Sequence, residues 1–474
     1  MPGFREECAV FGIWGDAEAG RMTYLGLYAQ QHRGQESTGI VSLQKNGQHL
    51  VHKGLGLVGD VYSEIDLIKL EGDAAIGHNR YSTTGENLIA NAQPLTANLR
   101  SGPVAIAHNG NIINARQLRE SLITQGSIFQ GSNDTEVVLH LLSRHPSSNI
   151  VECLKDAGQQ LVGAYSFVLL THDRLLAMRD PLGFRPLILG TRTLDSGKKA
   201  YVLASESCAF DLIGADYVRE IEPGEIFWVD ENGEHSEWIL PKNSERDSAN
   251  CIFEHVYFSR PDSVVFGKSV YEARKWMGRE LAKESPVEAD IVIPVPDSGV
   301  PAALGYSAES GIPFELGIIR NHYIGRTFIQ PSQSIRSFGV KIKLNPQTRV
   351  IEGKRAVVID DSLVRGTTSQ KVIQLVRQAG AKEVHFRLAS PPTIGSCYYG
   401  VDTPHRSQLI AATKSIEEIR KFIGADSLAY LSAEGLQRAV SAVSGETTKS
   451  TRKQFCDACF TGKYPTKLYD SDPS

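Results

Sequence analysis

Residues 356–369 read Ala356-Val-Val-Ile-Asp360-Asp361-Ser-Leu-Val-Arg365-Gly366-Thr-Thr-Ser369. A short apolar run of strand type ends in an acidic pair, a hydroxyl-rich turn follows, and Val372, Val376 and Ala379 mark the apolar face of a helix. The acidic pair therefore sits at the carboxyl end of a strand, where open α/β sheets bind their ligands. Neighbours on an extended strand point to opposite sides, so Asp360 and Asp361 can serve two groups, such as sugar hydroxyls and a hydrated Mg2+. Gly366 lets the backbone approach closely, and the amides of the turn and helix start form a phosphate cradle with the Ser and Thr hydroxyls. The plainer alternative is a well-capped strand-to-helix turn.

Outward from this stretch, strand runs at 291–295, 356–359 and 383–388 alternate with helical segments from Pro301 and over 369–379. Such alternation predicts a mainly parallel sheet with crossover helices. The first half has another rhythm. Short apolar segments at 9–14, 39–43, 104–107, 165–170 and 201–204 are bounded by turn residues and interrupted by helical patterns at 22–31 and 134–142. That predicts a layered α/β or α+β domain rich in antiparallel sheet over 8–240, with the polar stretch 241–250 as linker and a second domain over 251–474. The tail from 444 is polar apart from one cysteine pair, and Asp470-Ser-Asp-Pro-Ser474 has little to bury.

A chain of 474 residues can bury two or three such cores. Its net charge of −4 excludes a coat for nucleic acid or an anionic membrane, so an anionic ligand needs a local cluster of cations. One exists: residues 316–351 contain no Asp or Glu, where 54 acids in 474 residues predict about four, and they carry six Lys or Arg. No apolar run approaches the roughly 20 residues of a membrane span, and residues 1–7 lack the apolar core of a signal peptide, so the expected location is cytoplasmic. Seven cysteines, an odd count in a reducing compartment, argue for thiol chemistry or metal ligation over disulfides.

Three patterns mislead. Gly54-Leu-Gly56-Leu-Val-Gly59 fits a dinucleotide fingerprint, but Asp60-Val61-Tyr62 reads as more strand and turn, not a helix opening. Gly267-Lys268-Ser269 lacks the upstream glycine of a P-loop, because that position is Asp262. Asn133-Asp134-Thr135 is a glycosylation pattern in a chain without a secretion signal.

The string from Val357 to Ser369 resembles the phosphoribosyl pyrophosphate (PRPP) motif of type I phosphoribosyltransferases. The resemblance implies that Asp360 and Asp361 take the ribose hydroxyls and metal water, while Ser362, Val364, Arg365, Gly366, Thr367 and Thr368 belong to the turn that wraps the 5′-phosphate. Pro294-Val-Pro-Asp297-Ser298-Gly299 is similar to that family's pyrophosphate loop, with Ser298 near the Mg2+. The acid-free segment would close over the polyanion as a lid, excluding water.

Cys8 has only Met-Pro-Gly-Phe-Arg-Glu-Glu ahead of it and no His motif of papain or caspase type around it. Freed by cleavage, its own α-amine, with a pKa of about 7.7 to 8.0, could serve as base; the bland alternative is a small buried residue entering a strand. Gln31-His-Arg-Gly-Gln-Glu36, Gly77-His-Asn-Arg-Tyr-Ser82, Ala107-His-Asn109-Gly110-Asn111 and Gly131-Ser-Asn-Asp134-Thr resemble, in order and separation, the motifs of class II glutamine amidotransferases of the N-terminal nucleophile (Ntn) hydrolase fold, an αββα sandwich. That resemblance implies Cys8 as nucleophile, residues 1–7 as a removed propeptide, Asn109 and the Gly110 N–H as oxyanion hole, Arg80 as clamp for the substrate α-carboxylate and Asp134 as holder of its α-ammonium.

Both halves together resemble the glutamine phosphoribosylpyrophosphate amidotransferase family, as do Tyr257-Phe-Ser-Arg-Pro-Asp-Ser263 and the run at 325–334. Membership implies conversion of glutamine, water and PRPP into 5-phosphoribosylamine, glutamate and pyrophosphate, the first committed step of purine synthesis. It further implies an internal ammonia path, feedback inhibition by purine nucleotides and a homotetramer or homodimer. Cys456-Asp-Ala-Cys459 alone is compatible with zinc, a redox pair or simple proximity. With Cys251 and Cys397 it matches the four ligand positions of the iron-sulfur branch of that family, implying a structural 4Fe-4S cluster, with a zinc site of four cysteines as rival. Cys153 and Cys208 lie in apolar contexts and read as inert core residues. Two other readings are a ligand-binding relative that keeps the fold without the chemistry, against which the intact Cys8, Asn109, Asp134, Asp360 and Asp361 argue, and a glutaminase serving another synthase, which the PRPP motif disfavours.

Overall fold

A computed structural model describes residues 8–81, 88–241, 248–321, 344–443 and 453–469. The expected propeptide at 1–7, the run at 325–334, Ser82, residues 322–343 of the acid-free segment and parts of the linker and tail lie outside the described residues.

The first half is two antiparallel sheets face to face between two helical layers. One sheet has seven strands, with Ala9–Trp14 at its centre between Lys199–Ala204 and Ala74–Arg80. The other has six, with Gly163–Thr171 between Leu175–Arg179 and Gly102–Ile112. Period-2 alternation sends Val10, Val41, Ala74 and Ile76 of the first sheet against Ala105, Ala107, Val168 and Leu170 of the second, a dry interface. The opposite faces take helices: Ala19–Ala29 and Cys208–Ile213 on the first sheet, Glu136–Arg144 and Ile150–Gln160 on the second. This is the expected αββα sandwich. Gly26 in the first helix exists for close approach, since a Cβ there would lie 2.3 Å from the ring of Phe11.

The second half is a four-stranded parallel sheet in the order Ile291–Pro294, Arg355–Asp360, Glu383–Leu388, Ser427–Tyr430. Val292, Val357 and Ile359 face the helices Val270–Glu284, Val300–Ser310 and Ala433–Ala442. Ile291, Ile293, Ala356 and Val358 face Thr367–Gln378 and Ile416–Ile423 on the other side. Strands buried on both faces explain why these runs read as continuous apolar segments.

Several local expectations change. Residues 248–250, taken into the linker, belong to a strand, Ser248–Cys251, paired in parallel with Lys453–Cys456 so that Cys251 stands opposite Cys456. After Gly54-Leu-Gly56 a single-turn helix does open, Val58–Val61, where strand and turn were expected. The strand before it is antiparallel to its neighbour, so the parallel context of a dinucleotide site is absent there. Gly267-Lys268-Ser269 forms a two-residue strand and an N-cap, Ser269 Oγ accepting from the Glu272 N–H at 3.4 Å. Asn133 is buried, so its glycosylation pattern has no accessible amide. The tail past Tyr464 is anchored at Thr466, whose Oγ1 lies 2.9 Å from the Tyr399 hydroxyl. No helix among the described residues is long and apolar enough to cross a membrane.

Candidate functional site

The register of the central strand places Cys8 at the edge of the interface between the two sheets. Ala9 pairs with Asn79, so Cys8 adjoins Arg80, and its Sγ lies 3.4 Å from the Tyr81 carbonyl oxygen. Burial pushes the Cys8 thiol up to about 11, with Arg80 and Arg33 lowering it and Asp134 raising it. A thiol so raised stays protonated at neutral pH, and its use as a nucleophile requires a base. Asn109 stands on Gly102–Ile112 with its Nδ2 3.5 Å from Ser205 Oγ, the same hydroxyl that accepts from the Val10 N–H at 3.0 Å. Ser205 thereby ties the Asn109 side chain to the strand that follows Cys8. The Asn109 Oδ1 is buried without a partner among the described residues. Gly110 has φ +146°, and a Cβ there would lie 2.1 Å from the Ala164 carbonyl oxygen, so no larger residue fits. Asp134 accepts from the Ile112 N–H at 2.9 Å. Burial alone would raise its carboxyl, but His108 and the Ile112 and Thr135 backbone hold it below the usual carboxylate range. The partly exposed, ionised carboxylate of Asp134 and the buried guanidinium of Arg80 thus sit in electrostatic reach of Cys8.

In the parallel domain Asp360 ends its strand and Asp361 begins the turn. Asp360 Oδ1 accepts from the Asp361 N–H at 3.0 Å, and the hydroxyls of Ser362 and Ser298 hydrogen-bond the Asp361 carboxylate. Burial raises both carboxyls, and the charge of Asp361 raises Asp360 further. A divalent cation would relieve that repulsion. Ser298 reaches this place because Val295 N–H donates to the Ile359 carbonyl at 2.8 Å, docking the 294–299 loop beside the strand end. Gly366, at φ +75°, is the N-cap of Thr367–Gln378, whose first turn has no side-chain cap. Thr367 and Thr368 open a 12-residue helix without a side-chain cap, the kind of end at which backbone amides can take an anion. Val364 is fixed through its carbonyl, which accepts from the Ile410 N–H at 2.9 Å, and Arg365 bonds Gln408. Arg320, a cation of the acid-free segment, pairs with Asp297 at 2.6 Å.

Cys251, Cys397, Cys456 and Cys459 all line one cavity, closed by Phe184, Phe253 and Tyr399. The Tyr399 N–H donates to Cys397 Sγ at 3.3 Å. Burial raises all four thiols. No three or more His, Cys, Asp or Glu side chains among the described residues close on a single point as one metal ion requires. Four cysteines lining one cavity are a donor set of the kind that thiolate-held metal centres use. Cys153 and Cys208 are buried in other cores.

One buried constellation went unread in the sequence. Arg33 Nε donates to the Cys8 carbonyl at 3.1 Å, while its Nη1 and Nη2 reach Glu206 at 2.5 Å and Glu254 at 2.7 Å. Arg185 Nη2 meets the same Glu254 at 2.6 Å. Ser259 Oγ donates to Glu254, and the Ser259 carbonyl accepts from Arg274 Nη2 at 2.8 Å; the charge of Arg274 faces Asp361. Hydrogen bonds and ion pairs therefore link the Cys8 carbonyl to Arg274, whose charge is in electrostatic reach of the acidic pair. Arg33 stood inside the quoted stretch Gln31-His-Arg-Gly-Gln-Glu36 and Glu254 lies three residues past Cys251, but only the fold pairs them.

A glutamine amidotransferase domain model matches residues 78–211 and a phosphoribosyl transferase domain model residues 268–389. Amidophosphoribosyltransferase 1, chloroplastic, of Arabidopsis thaliana is 54% identical over 463 residues, covering 98% of this chain and 79% of its own. Amidophosphoribosyltransferase of Bacillus subtilis is 48% identical over 476 residues, covering 99% of this chain and 96% of its own. Among solved structures, one described as the allosteric regulatory enzyme of purine biosynthesis superposes with a TM-score of 0.90 at 48% identity, over 98% of this chain and 97% of that one. Glutamine PRPP amidotransferase from B. subtilis, complexed with ADP and GMP, gives 0.89 at 47% identity, over 98% of each chain.

Proposed function

Because the chain belongs to the amidophosphoribosyltransferase family, which makes 5-phosphoribosylamine, glutamate and pyrophosphate from glutamine, water and PRPP in purine synthesis, we propose how its residues divide the reaction. Cleavage after Glu7 frees the α-amine of Cys8. The amine takes the thiol proton as Sγ attacks the glutamine carboxamide carbon, and it returns that proton to the departing ammonia; water then cleaves the thioester to glutamate. Asn109 Nδ2 and the Gly110 N–H hold the oxyanion. Arg80 clamps the α-carboxylate, and Asp134, kept ionised, holds the α-ammonium.

At the second site Asp360 and Asp361 bind the ribose hydroxyls, and the turn of Ser362, Val364, Arg365, Gly366, Thr367 and Thr368 binds the 5′-phosphate through backbone N–H groups and hydroxyls. Asp360, Asp361 and Ser298 would hold Mg2+, which neutralises the pyrophosphate leaving group. Ammonia adds at C1 of the ribose as the C1–O bond to pyrophosphate breaks. Cys251, Cys397, Cys456 and Cys459 would hold a 4Fe-4S cluster, which supplies a cross-link between the tail and the domain core. Purine nucleotides as inhibitors, supported by the ADP and GMP complex of the B. subtilis relative, a homotetramer or homodimer, and a cytoplasmic setting complete the proposal.

The observation that carries the reading is the buried path from the Cys8 carbonyl through Arg33, Glu254 and Ser259 to Arg274, whose charge acts on Asp361, which supports two chemistries working as one. The test measures glutamate and pyrophosphate with and without PRPP and Mg2+. The parent releases both together; Cys8→Ala loses glutamine-dependent pyrophosphate release but keeps it with added ammonium, and Asp361→Asn loses it with either nitrogen source. Absence of PRPP-dependent pyrophosphate release from the parent would contradict the proposal.

A further inference from the structure

The loop that carries Cys397 lies directly behind the strand that carries Asn109 and Gly110. Two contacts join them and a third ties the loop to the same domain, each from a different residue of the loop. Asn111 Nδ2 donates to the Tyr398 carbonyl oxygen at 2.9 Å. The Tyr399 ring stacks on Phe184 of the sandwich domain with centroids 4.1 Å apart. Gly400, at φ +104°, abuts Gly110 so closely that a Cβ on it would lie 2.9 Å from Gly110 Cα and 3.0 Å from its carbonyl carbon. A Cβ on Gly110 would itself lie 2.1 Å from the Ala164 carbonyl oxygen. The backbone of Gly110 therefore has a close neighbour in each domain.

The loop itself is stiff. The Cys397 N–H donates to Thr403 Oγ1 at 2.7 Å, the Tyr399 N–H to Cys397 Sγ at 3.3 Å, and the Tyr399 hydroxyl meets Thr466 at 2.9 Å. Two residues past Gly110 on the same strand, the Ile112 N–H is fixed by Asp134. The strand segment 109–112 is thus set by Asp134 on one side and by the 397–400 loop on the other.

From this we infer that Gly400 and Asn111 are positioning residues for glutamine hydrolysis, through which the second domain's Cys397 loop sets the Gly110 N–H toward the developing oxyanion. The inference rests on the reading of Asn109 and Gly110 as the oxyanion hole and goes beyond it, because it makes the geometry of that hole depend on a loop of the other domain. An N–H displaced by a few tenths of an ångström still binds ground-state glutamine but stabilises the tetrahedral species less.

The test uses Gly400→Ala and Asn111→Ala in the full-length protein, with Asn109→Ala alongside. Three quantities are read: the kcat and KM for glutamine, the inhibition constant of the aldehyde analogue of glutamine, to whose carbonyl the Cys8 sulfur adds, and the ammonium-dependent rate of pyrophosphate release. Expected for Gly400→Ala and Asn111→Ala is a loss of about tenfold or more in kcat and in analogue affinity, below the roughly 10²- to 10³-fold of a deleted donor, with KM and the ammonium-dependent rate within twofold of the parent. If Gly400→Ala also loses the ammonium-dependent rate, Asn111→Ala, which removes the hydrogen bond to the Tyr398 carbonyl without adding bulk, decides. Analogue affinity unchanged in Asn111→Ala and Gly400→Ala but weakened in Asn109→Ala would overturn this inference alone. Affinity unchanged in Asn109→Ala would overturn the oxyanion reading and this inference with it.

Discussion

Cys8 shows how little a single residue settles by itself. Its thiol is buried and pushed up to about 11, so the attacking thiolate does not form on its own at neutral pH. If the α-amine is the base, it must be unprotonated, and kcat/KM for glutamine falls as pH drops below about 7.7 to 8.0. A pH profile of glutaminase activity checks this: an acid limb near that value is expected, and a profile flat from pH 6 to 9 would point to another base. Asn109→Ala is expected to cut glutamine-dependent kcat by roughly 10²- to 10³-fold while sparing ammonium-dependent synthesis. These residues were legible because their motifs are local strings. Arg33, equally buried and bonded to the Cys8 carbonyl, was not, since its partners Glu206 and Glu254 lie 173 and 221 residues away in sequence.

Among elements, the strand ending at Asp360 and the helix Thr367–Gln378 were readable to within about a turn, because a continuous apolar run and a three-four apolar spacing leave few alternatives. Gly366 is where the turn depends on residue type. Its φ of +75° and the packing of Ile410 and Phe422 over its Cα disfavour a Cβ, so Gly366→Ala, at about 1–2 kcal/mol for left-handed backbone, should raise the KM for PRPP by about tenfold with glutamine binding unchanged. The five-residue π-helix Glu254–Phe258 gave no sequence signal, yet it presents Glu254 to Arg33 and Arg185 together. Removing that carboxylate takes a shared partner from two buried guanidinium groups, and Glu254→Ala should lower stability by about 3–5 kcal/mol in chemical unfolding. Arg33 and His32, against an opposing cost of burial, hold the Glu206 carboxyl down at about 2. A group depressed in the folded state contributes stability above its unfolded value of about 4.3 and loses it as pH falls. Acid titration of the unfolding free energy should therefore fall between about pH 4.3 and about 2, less steeply in Glu206→Gln.

At the scale of the whole molecule, the two-domain plan followed from a change of rhythm between alternating short strands and buried parallel runs. What joins the domains did not, because the Gly400–Gly110 contact and the Arg33–Glu254 pair each bring together segments far apart in sequence. Cys459→Ser should abolish the broad visible absorbance of anaerobically purified protein and lower its unfolding temperature, whereas full absorbance in that variant would remove the cluster assignment. The central claim is that the two sites act as one enzyme and that ammonia released at Cys8 is spent at the ribose without mixing with solvent. Supplying glutamine labelled with 15N in its amide, together with PRPP, Mg2+ and an excess of unlabelled ammonium held below the level that supports ammonium-dependent synthesis, tests it directly. The account predicts phosphoribosylamine carrying 15N; product nitrogen matching the isotopic composition of the bulk ammonium would contradict it.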